Sequence, residues 1–331
     1  MSTRPVYERR PTGPRHHDFL ARHAQVLSIA AFFLLMVVLF ATQTNAFLSQ
    51  VNLLNLLRQS APLIIVAVAM TFVITTGGID LSVGSTVALV NALAAILLQY
   101  GIPWPMVVGG MLLLGAGIGA LQGWFVAREG IPAFIVTLAG LSILRGVALL
   151  LTQGFSIPIA SDNWFVQIGR GWLFGIPLPA ILAVLVMVVS ATVLASTRFG
   201  RYVTAVGANA EAARRAGIDV RGVTTMVYVL TGAAAALAGI VIAARLGSGS
   251  SNAAVGFELD VIAAVVLGGT SLMGGRGTIL GTCLGALTIA VIGNGLILAH
   301  ISPFFTQIVT GLIILAAIWL NTKVFRGGRK T

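Results

Sequence analysis

Residues 77–84 read Gly-Gly-Ile-Asp-Leu-Ser-Val-Gly and separate two long apolar runs. The pattern Gly-Gly-x-x-Leu-x-x-Gly returns 191 positions later, at residues 268–275, again between two apolar runs. Glycine pairs at such places predict helices that break within a membrane, where the freed backbone groups need other partners. We therefore expect broken helices at Gly77-Gly78 and at Gly268-Gly269. The first break also contains a carboxylate, Asp80, among apolar neighbours.

The composition of the 331 residues indicates that the lipid bilayer is the main solvent of this chain. Hydrophobic residues make up 57% and charged residues 9%, and the mean hydropathy is +1.00. A water-soluble domain of this length needs far more polar surface. The formal net charge of +11 is concentrated at the ends of apolar runs and in a few loops. That placement indicates anionic lipid headgroups and the cytoplasmic side rather than nucleic acid.

The apolar runs predict an all-α polytopic membrane protein with about ten transmembrane helices. Most are close to the roughly 20 residues that a bilayer-spanning helix needs. The membrane domain is expected at 24–321, between a disordered basic tail at 1–23 and a second basic tail at 322–331. A short amphipathic helix at the interface is expected at 52–58. The runs lie at 24–41, 61–76, 84–99, 106–126, 132–152, 178–196, 222–244, 259–268, 278–298 and 304–321.

The basic residues predict the orientation of these spans. Ten spans place both termini on one side, and if that side is the cytoplasm it holds 16 of the 20 Lys and Arg residues. Because basic residues concentrate on the cytoplasmic side of membrane proteins, both termini are expected there. Five spans in each half then predict two inverted five-helix repeats, an arrangement typical of transporters. The basic residues left for the outside or the membrane are Arg58, Arg145, Arg170 and Arg245.

The loop at 197–221, expected in the cytoplasm, is predicted to contain a short capped helix at 209–216. Asn209 suits the N-cap, Glu211 suits the first turn, and Gly217 suits the position that follows the helix. Taken alone, such a helix is either a passive connector or a knob that docks on a cytoplasmic partner. Alanines within the helix and arginines near its end also favour it. They are Ala212, Ala213, Ala216, Arg214 and Arg215.

Three strings give the chain a resemblance to a known family. They are Gly-Ile-Asp-Leu-Ser-Val-Gly at 78–84, the loop sequence at 200–218, and residues 258–277, which run from Glu-Leu-Asp-Val-Ile to Gly-Gly-Arg-Gly. Together they resemble permease subunits of ribose-type ABC importers. These are the monosaccharide members of the branched-chain amino acid and sugar permease family. The resemblance extends from residue 50 to residue 321.

The resemblance implies a division of labour at a bacterial inner membrane. Two copies of the chain would form the pore, a cytoplasmic ATPase would bind ATP and Mg, and a periplasmic sugar-binding protein would deliver the sugar. The sequence has no Gly-x-x-x-x-Gly-Lys-Ser/Thr phosphate loop and no His/Cys cluster. We therefore expect a transport subunit with no catalytic residue, metal or cofactor of its own. The residues expected to couple it to the ATPase are Asn209, Glu211, Ala212, Ala213, Arg214 and Gly217.

Several residues near the breaks are candidates for the translocation pathway, and each has a structural alternative. Asp80 and Ser82 either line the pathway or cap the next helix. The paired glycines either permit turns and close helix packing or expose helix ends to the substrate. Asn91 and Asn294 offer hydrogen bonds to a neutral sugar or to another helix. Arg145 is expected to be a structural anchor.

Two other functions remain open from the sequence. One is the permease of a branched-chain amino acid importer, although the Gly-Ile-Asp-Leu-Ser-Val-Gly string favours sugar. The other is an ion-coupled secondary transporter, which usually has ionisable residues in mid-membrane. Asp80 and Arg145 are the candidates for that role. The sequence does not identify the sugar.

Overall fold

The computed structural model describes residues 16–302 and residues 305, 308, 309, 311, 312, 315 and 316. This part of the chain is almost entirely helical. The helices are α1 (His16–Gln43), α2 (Gln50–Thr75), α3 (Val83–Gln99), α4 (Trp104–Ala127), α5 (Ala133–Thr152), α6 (Gln167–Arg170), α7 (Leu178–Ser196), α8 (Arg198–Ala208), α9 (Ala210–Arg215), α10 (Val220–Leu246), α11 (Phe257–Leu267) and α12 (Ile279–Leu298). The shorter elements are a 3₁₀ turn (Trp164–Val166) and strands β1 (Ile157–Pro158), β2 (Trp172–Leu173), β3 (Ile176–Pro177) and β4 (Ser248–Gly249).

Within the described residues, seven helices are long and apolar enough to cross a bilayer: α1, α2, α4, α5, α7, α10 and α12. Helix α3 has 17 residues and α11 has 11, so both are shorter. Most of the predicted run at 304–321 lies outside the described residues. The prediction of an all-helical membrane protein is confirmed, whereas the number of ten spans stays a prediction.

The predicted tails lie mostly outside the described residues, which omit 1–15 and 322–331. Residues 16–23, assigned to the N-terminal tail from the sequence, belong to α1 instead. The physical reason is that neither glycine nor proline interrupts the chain between His16 and Gln43, so the helix extends beyond its apolar part.

Helix α2 is continuous over 26 residues, and the prediction of a separate interfacial helix at 52–58 is wrong. Ser49 caps the helix, because its side chain accepts a 3.3 Å hydrogen bond from the amide of Asn52. Pro62 lies inside α2, but membrane helices tolerate proline where neighbouring groups satisfy the freed carbonyl. No glycine interrupts α2, so the helix continues until Gly77.

The loop at 197–221 contains two helices rather than one. Helix α9 confirms the predicted short helix, and α8 occupies the stretch before it. Thr197 starts α8 by accepting a 3.2 Å hydrogen bond from the amide of Gly200. Gly200, Val203 and Val206 are buried at intervals of three residues, which orients one face of α8 toward the core.

The core lies around α2 and α10. Every residue of α2 from Ser60 to Thr75 is buried. Gly115, Gly119 and Gly123 recur every fourth residue on one face of α4, where they meet the α10 backbone between Gly232 and Thr225. The residue numbers rise along α4 as they fall along α10, so the two helices are antiparallel. Small residues permit such close approach of membrane helices.

The segment at 153–177 covers one end of α10. Strand β1 pairs with β4, and β2 pairs with β3 in a short hairpin, in both cases antiparallel. Helix α6 lies against the last turn of α10, where a Cβ built on Gly169 would collide with the backbone of Arg245. This end of α10 is therefore held by folded chain rather than by a free loop.

Candidate functional site

The first break forms because α2 ends in a left-handed turn at Gly77. The φ angle of Gly77 is +84°, a conformation that favours glycine. Its amide donates to Ile74 O at 2.9 Å, and the amide of Gly78 donates to Val73 O at 3.0 Å. These two bonds satisfy carbonyls that the end of a helix leaves free. Gly78 has a different role, because a side chain there would collide with Tyr228 Oη.

Asp80 is buried just after this turn and bonds the start of α3. Its Oδ1 accepts hydrogen bonds from the amide of Ser82 at 2.8 Å and from Ser82 Oγ at 2.7 Å. Helix α3 begins at Val83, and the Ser82 side chain caps no amide of that helix. The carboxylate thus fixes the residue that precedes α3, but neither bond is to an amide of the helix itself. In the described part of the chain no ion pair reaches Asp80.

Three further helices supply polar side chains to this break that were not predicted from the sequence. Gln122 of α4 donates a 2.8 Å hydrogen bond from Nε2 to Ser82 Oγ. The carbonyl of Ile79 accepts hydrogen bonds of 3.3 Å from Tyr228 Oη of α10 and from Thr137 Oγ1 of α5. Gln122, Thr137 and Tyr228 are all buried. The one sequence signal for this cluster is that Gln122 adjoins the glycine-lined face of α4.

The second break has the same backbone geometry, shifted by one residue from the repeated string. The amide of Gly269 donates to Val266 O at 2.9 Å, the amide of Thr270 donates to Val265 O at 3.2 Å, and the φ angle of Gly269 is +90°. By backbone geometry Gly77 therefore corresponds to Gly269 and not to Gly268, which the string aligns with it. Gly268 instead packs against the backbone of Gly281.

The two breaks meet each other and the end of α8. The amide of Gly275 donates a 2.9 Å hydrogen bond to the carbonyl of Thr75. Gly207 lies against both partners of this bond, since a Cβ built there would collide with Thr75 O and come within 2.6 Å of Gly275 N. A Cβ on Gly274 would lie 2.7 Å from Gly207 O and 3.1 Å from Gly77 N. The loop at 197–221 therefore contacts both breaks directly.

Helix α9 continues from this contact into solvent. Asn209 Oδ1 accepts a 2.9 Å hydrogen bond from the amide of Ala212, so Asn209 is the predicted N-cap. Glu211 forms ion pairs with Arg214 at 2.8 Å and with Arg215 at 3.1 Å. Gly217 adopts a φ angle of +83° after the helix.

One residue of α9, Ala213, is buried, while Ala212 and the charged residues are exposed. Helix α9 is therefore packed on the core through Ala213, and its charged side chains face outward.

Asn91 and Asn294 both bond other helices or loops. Asn91 Oδ1 accepts a 2.6 Å hydrogen bond from the amide of Ser250, and its Nδ2 donates to Gly239 O at 3.4 Å. Asn294 and Asn52 exchange two side-chain hydrogen bonds of 2.9 and 3.0 Å. The structural alternative accounts for the contacts of both asparagines.

Arg145 anchors the chain that leads into α11. Its guanidinium donates hydrogen bonds of 2.6, 2.8 and 3.3 Å to the carbonyls of Ser251, Ala253 and Ala254. This segment brings Glu258, in the first turn of α11, against Gly84 in the first turn of α3. Glu258 Oε2 is buried and has no hydrogen-bond partner among the described residues. The first turns of two short helices thus meet beside an unpaired carboxylate oxygen.

The chain matches a known family and many curated relatives. The family is described as branched-chain amino acid transport system / permease component, and it matches residues 52–318. The ribose import permease protein RbsC of Haemophilus influenzae is 43% identical over 84% of this chain and 88% of its own length. The probable ABC transporter permease protein YphD of Escherichia coli is 42% identical over 92% of this chain and 91% of its own length. The xylose transport system permease protein XylH of Escherichia coli is 34% identical over 90% of this chain and 91% of its own length.

No solved structure matches the chain, so the assignment depends on sequence. Among the described residues no group of three His, Cys, Asp or Glu side chains is placed to hold a metal ion. The family match covers most of the chain, and its relatives align over nearly their whole lengths. This chain therefore belongs to the family of permease components of branched-chain amino acid transport systems.

Proposed function

We propose that this chain is the membrane permease subunit of an ATP-binding-cassette importer that takes up a monosaccharide. The observation that supports it most strongly is the similarity to ribose import permeases, which are 41 to 43% identical over 84 to 88% of this chain. The xylose permease is similar over 90% of the chain. A pentose is therefore the first substrate class to test.

The proposed transporter has the subunits that the sequence resemblance implies. Two copies of the chain form the pathway in a bacterial inner membrane, with both termini in the cytoplasm. A separate ATPase binds ATP and Mg, and a periplasmic binding protein delivers the sugar. Helix α9 is the docking element for the ATPase, because its charged residues are exposed while Ala213 fixes it to the core. Asn209 and Gly217 set the ends of that element.

The contact of α8 with both breaks gives a route for coupling. A displacement of α9 by the ATPase moves Gly207, which lies against Thr75 at the end of α2 and against Gly275. Since these backbones are already in contact, small movements there are transmitted without an intervening flexible segment. The breaks then act as hinges, at Gly77-Gly78 and at Gly268-Gly269, where the helices have no continuous hydrogen-bond ladder.

The pathway is proposed to pass the starts of α3 and α11. Asp80 and Ser82 with Gln122 offer hydrogen-bonding groups at one of them, and Glu258 offers a carboxylate oxygen near both. A neutral sugar needs such hydrogen bonds rather than a net charge. Asn91 and Asn294 are proposed to hold the helices at the edge of this pathway, in agreement with their bonds to Gly239 of α10 and to Asn52 of α2.

We also infer that the two halves are inverted five-helix repeats, in which α2, α3 and α4 correspond to α10, α11 and α12. If the halves are equivalent, a contact between two helices must recur between their counterparts. Helix α10 packs on α3 and α4, and its counterpart α2 packs on α11 and α12, the counterparts of α3 and α4. Thr71 Oγ1 lies 2.8 Å from Thr282 Oγ1, and Gly277 lies against Thr75, so α2 and α12 are antiparallel, as are α4 and α10. Under this pairing Gly77 and Gly269 follow helices that are not equivalent. The repeated glycine string is then not a trace of the duplication.

The proposal is tested by uptake into proteoliposomes that contain this chain, its ATPase and its binding protein. We expect ATP-dependent uptake of radiolabelled ribose or xylose and none of leucine. A matched control omits the binding protein. Uptake of leucine in preference to both sugars favours the amino acid importer. Sugar uptake that follows a proton or sodium gradient without ATP contradicts the proposal.

A further inference from the structure

Three arginines that are distant in sequence form one cluster at the end of α10 that the segment 153–177 covers. Arg170 Nε donates a 2.8 Å hydrogen bond to the carbonyl of Arg245. The guanidinium of Arg58 lies 4.7 Å above the ring of Trp172, and its charge acts on Arg245. Arg58 comes from α2, Arg245 from the last turn of α10, and the other two residues from the covering segment.

The cluster has unsatisfied hydrogen-bonding capacity. The Nε atoms of Arg58 and Arg245 are buried and have no hydrogen-bond partner among the described residues. The ion pairs found in that part of the chain both belong to Glu211 of α9, so no carboxylate there neutralises the three arginines. Neighbouring like charges repel each other, and buried donors without acceptors are costly. An anion held between them relieves both effects.

The position of the cluster along α2 corresponds to a membrane surface. Thr75 follows Arg58 by 17 positions, which is about 26 Å of α-helix at a rise of about 1.5 Å per residue. The hydrocarbon core of a bilayer is roughly 30 Å thick. Since Thr75 adjoins α8 at the other end, Arg58 lies near the opposite interface, at the depth of lipid headgroups.

The hairpin beside the cluster exposes apolar side chains. Trp172 and Leu173 of β2 are exposed, and Phe174 at the tip is 95% exposed. Aromatic and aliphatic side chains at an interface contact the upper part of lipid acyl chains. The arginines and the hairpin together therefore offer cationic forks for a phosphate and, next to them, an apolar surface for the chains of the same molecule.

We propose that Arg58, Arg170 and Arg245, with Trp172, bind the phosphate headgroup of an anionic phospholipid in the outer leaflet. The planar guanidinium fork matches phosphate oxygens in pairs. The three uncompensated charges select a lipid with a net negative charge over a zwitterionic one. The bound lipid connects α2, α10 and the hairpin, and so it stabilises the outer end of the permease.

The test is native mass spectrometry of the full-length protein, titrated with phosphatidylglycerol, phosphatidylcholine or inorganic phosphate. The wild-type protein is expected to bind phosphatidylglycerol on the order of tenfold more tightly than phosphatidylcholine, with an affinity that falls as salt rises. The variant Arg58→Gln/Arg245→Gln is expected to lose about tenfold or more of the phosphatidylglycerol affinity. The control Arg128→Gln/Arg221→Gln removes the same charge from exposed positions elsewhere and is expected to bind like the wild type.

Equal affinity of the wild type and Arg58→Gln/Arg245→Gln for phosphatidylglycerol overturns the proposal. So does displacement of the lipid by millimolar inorganic phosphate, which indicates a site for a free anion. A variant that keeps the lipid but no longer binds the purified sugar-binding protein also overturns it, since the arginines then serve a protein carboxylate. If the glutamine variant does not fold, Arg58→Lys/Arg245→Lys keeps the charge without the fork. That variant is expected to retain the salt dependence with weaker binding, and wild-type affinity in it contradicts the assigned geometry.

Discussion

The amide of Gly275 donates a 2.9 Å hydrogen bond to the carbonyl of Thr75, which joins the end of α2 to the loop between α11 and α12. Gly207 of α8 lies against both groups. The loop helices at 198–215 are therefore in contact with both interruptions of the membrane helices. This contact connects the exposed charges of α9 to the part of the permease that we propose to move.

The packing of α4 on α10 predicts that alanine affects stability very differently at Gly119 and at Gly117. Alanine at Gly119 would collide with the backbone of Tyr228, whereas a Cβ at Gly117 meets nothing within 4 Å. We expect Gly119→Ala to lower the free energy of unfolding by about 1–3 kcal/mol through overpacking. Gly117→Ala, the control, is expected to leave the stability unchanged or slightly higher because alanine favours helix. Thermal unfolding in detergent measures both, and equal melting temperatures would contradict the close contact.

The charged face of α9 predicts loss of coupling without loss of folding. The ion pair of Glu211 with Arg214 is largely exposed, so its removal is expected to cost about 0–1 kcal/mol of stability at most. We expect Glu211→Ala/Arg214→Ala to weaken ATPase binding about tenfold or more, as for central residues of an interface. Arg128→Ala/Glu129→Ala removes one positive and one negative side chain from another exposed loop and serves as the control. Normal ATPase binding and uptake by the α9 variant would exclude the docking role.

Two substitutions of Asp80 distinguish a structural role of its carboxylate from a role as a proton carrier. In Asp80→Asn the amide oxygen still accepts hydrogen bonds from the amide and hydroxyl of Ser82, so folding and uptake are expected to persist. Asp80→Leu leaves the buried amide of Ser82 without its acceptor, at a cost of about 1–3 kcal/mol, whereas the Ser82 hydroxyl can still donate to Gln122 Oε1 at 3.1 Å. The checks are the melting temperature and sugar uptake of each variant. A folded Asp80→Asn protein without uptake would indicate that the carboxylate itself is required, as in an ion-coupled transporter.

The features that the sequence predicted are those set by neighbouring residues. The ends of α9 follow from Asn209 and Gly217, which act within one turn, and the turn at Gly77 follows from its glycine. The prediction of the polar cluster at Asp80 was incomplete, because two of its members are distant in sequence. Gln122 is 40 positions from its partner Ser82, and Tyr228 is 149 positions from its partner Ile79. No local pattern marks such contacts.

Two errors have a common physical cause, which is the use of apolar runs to set the limits of helices. A continuous backbone ladder does not stop where polarity begins. Helix α2 therefore includes the polar stretch at 52–58, and α1 begins at His16. The string alignment of Gly77 with Gly268 was also misleading, because residue identity does not determine which glycine takes the left-handed turn. Hydrogen bonding to Val266 assigns that turn to Gly269.

The most direct test of the coupling account is the number of sugar molecules imported per ATP hydrolysed in proteoliposomes that contain Gly207→Ala. The added methyl group separates α8 from Thr75 and Gly275. We therefore expect this ratio to fall about tenfold, while ATPase binding persists. Gly117→Ala is the control and is expected to keep the wild-type ratio. A folded Gly207→Ala transporter with the wild-type ratio of sugar to ATP would contradict the account.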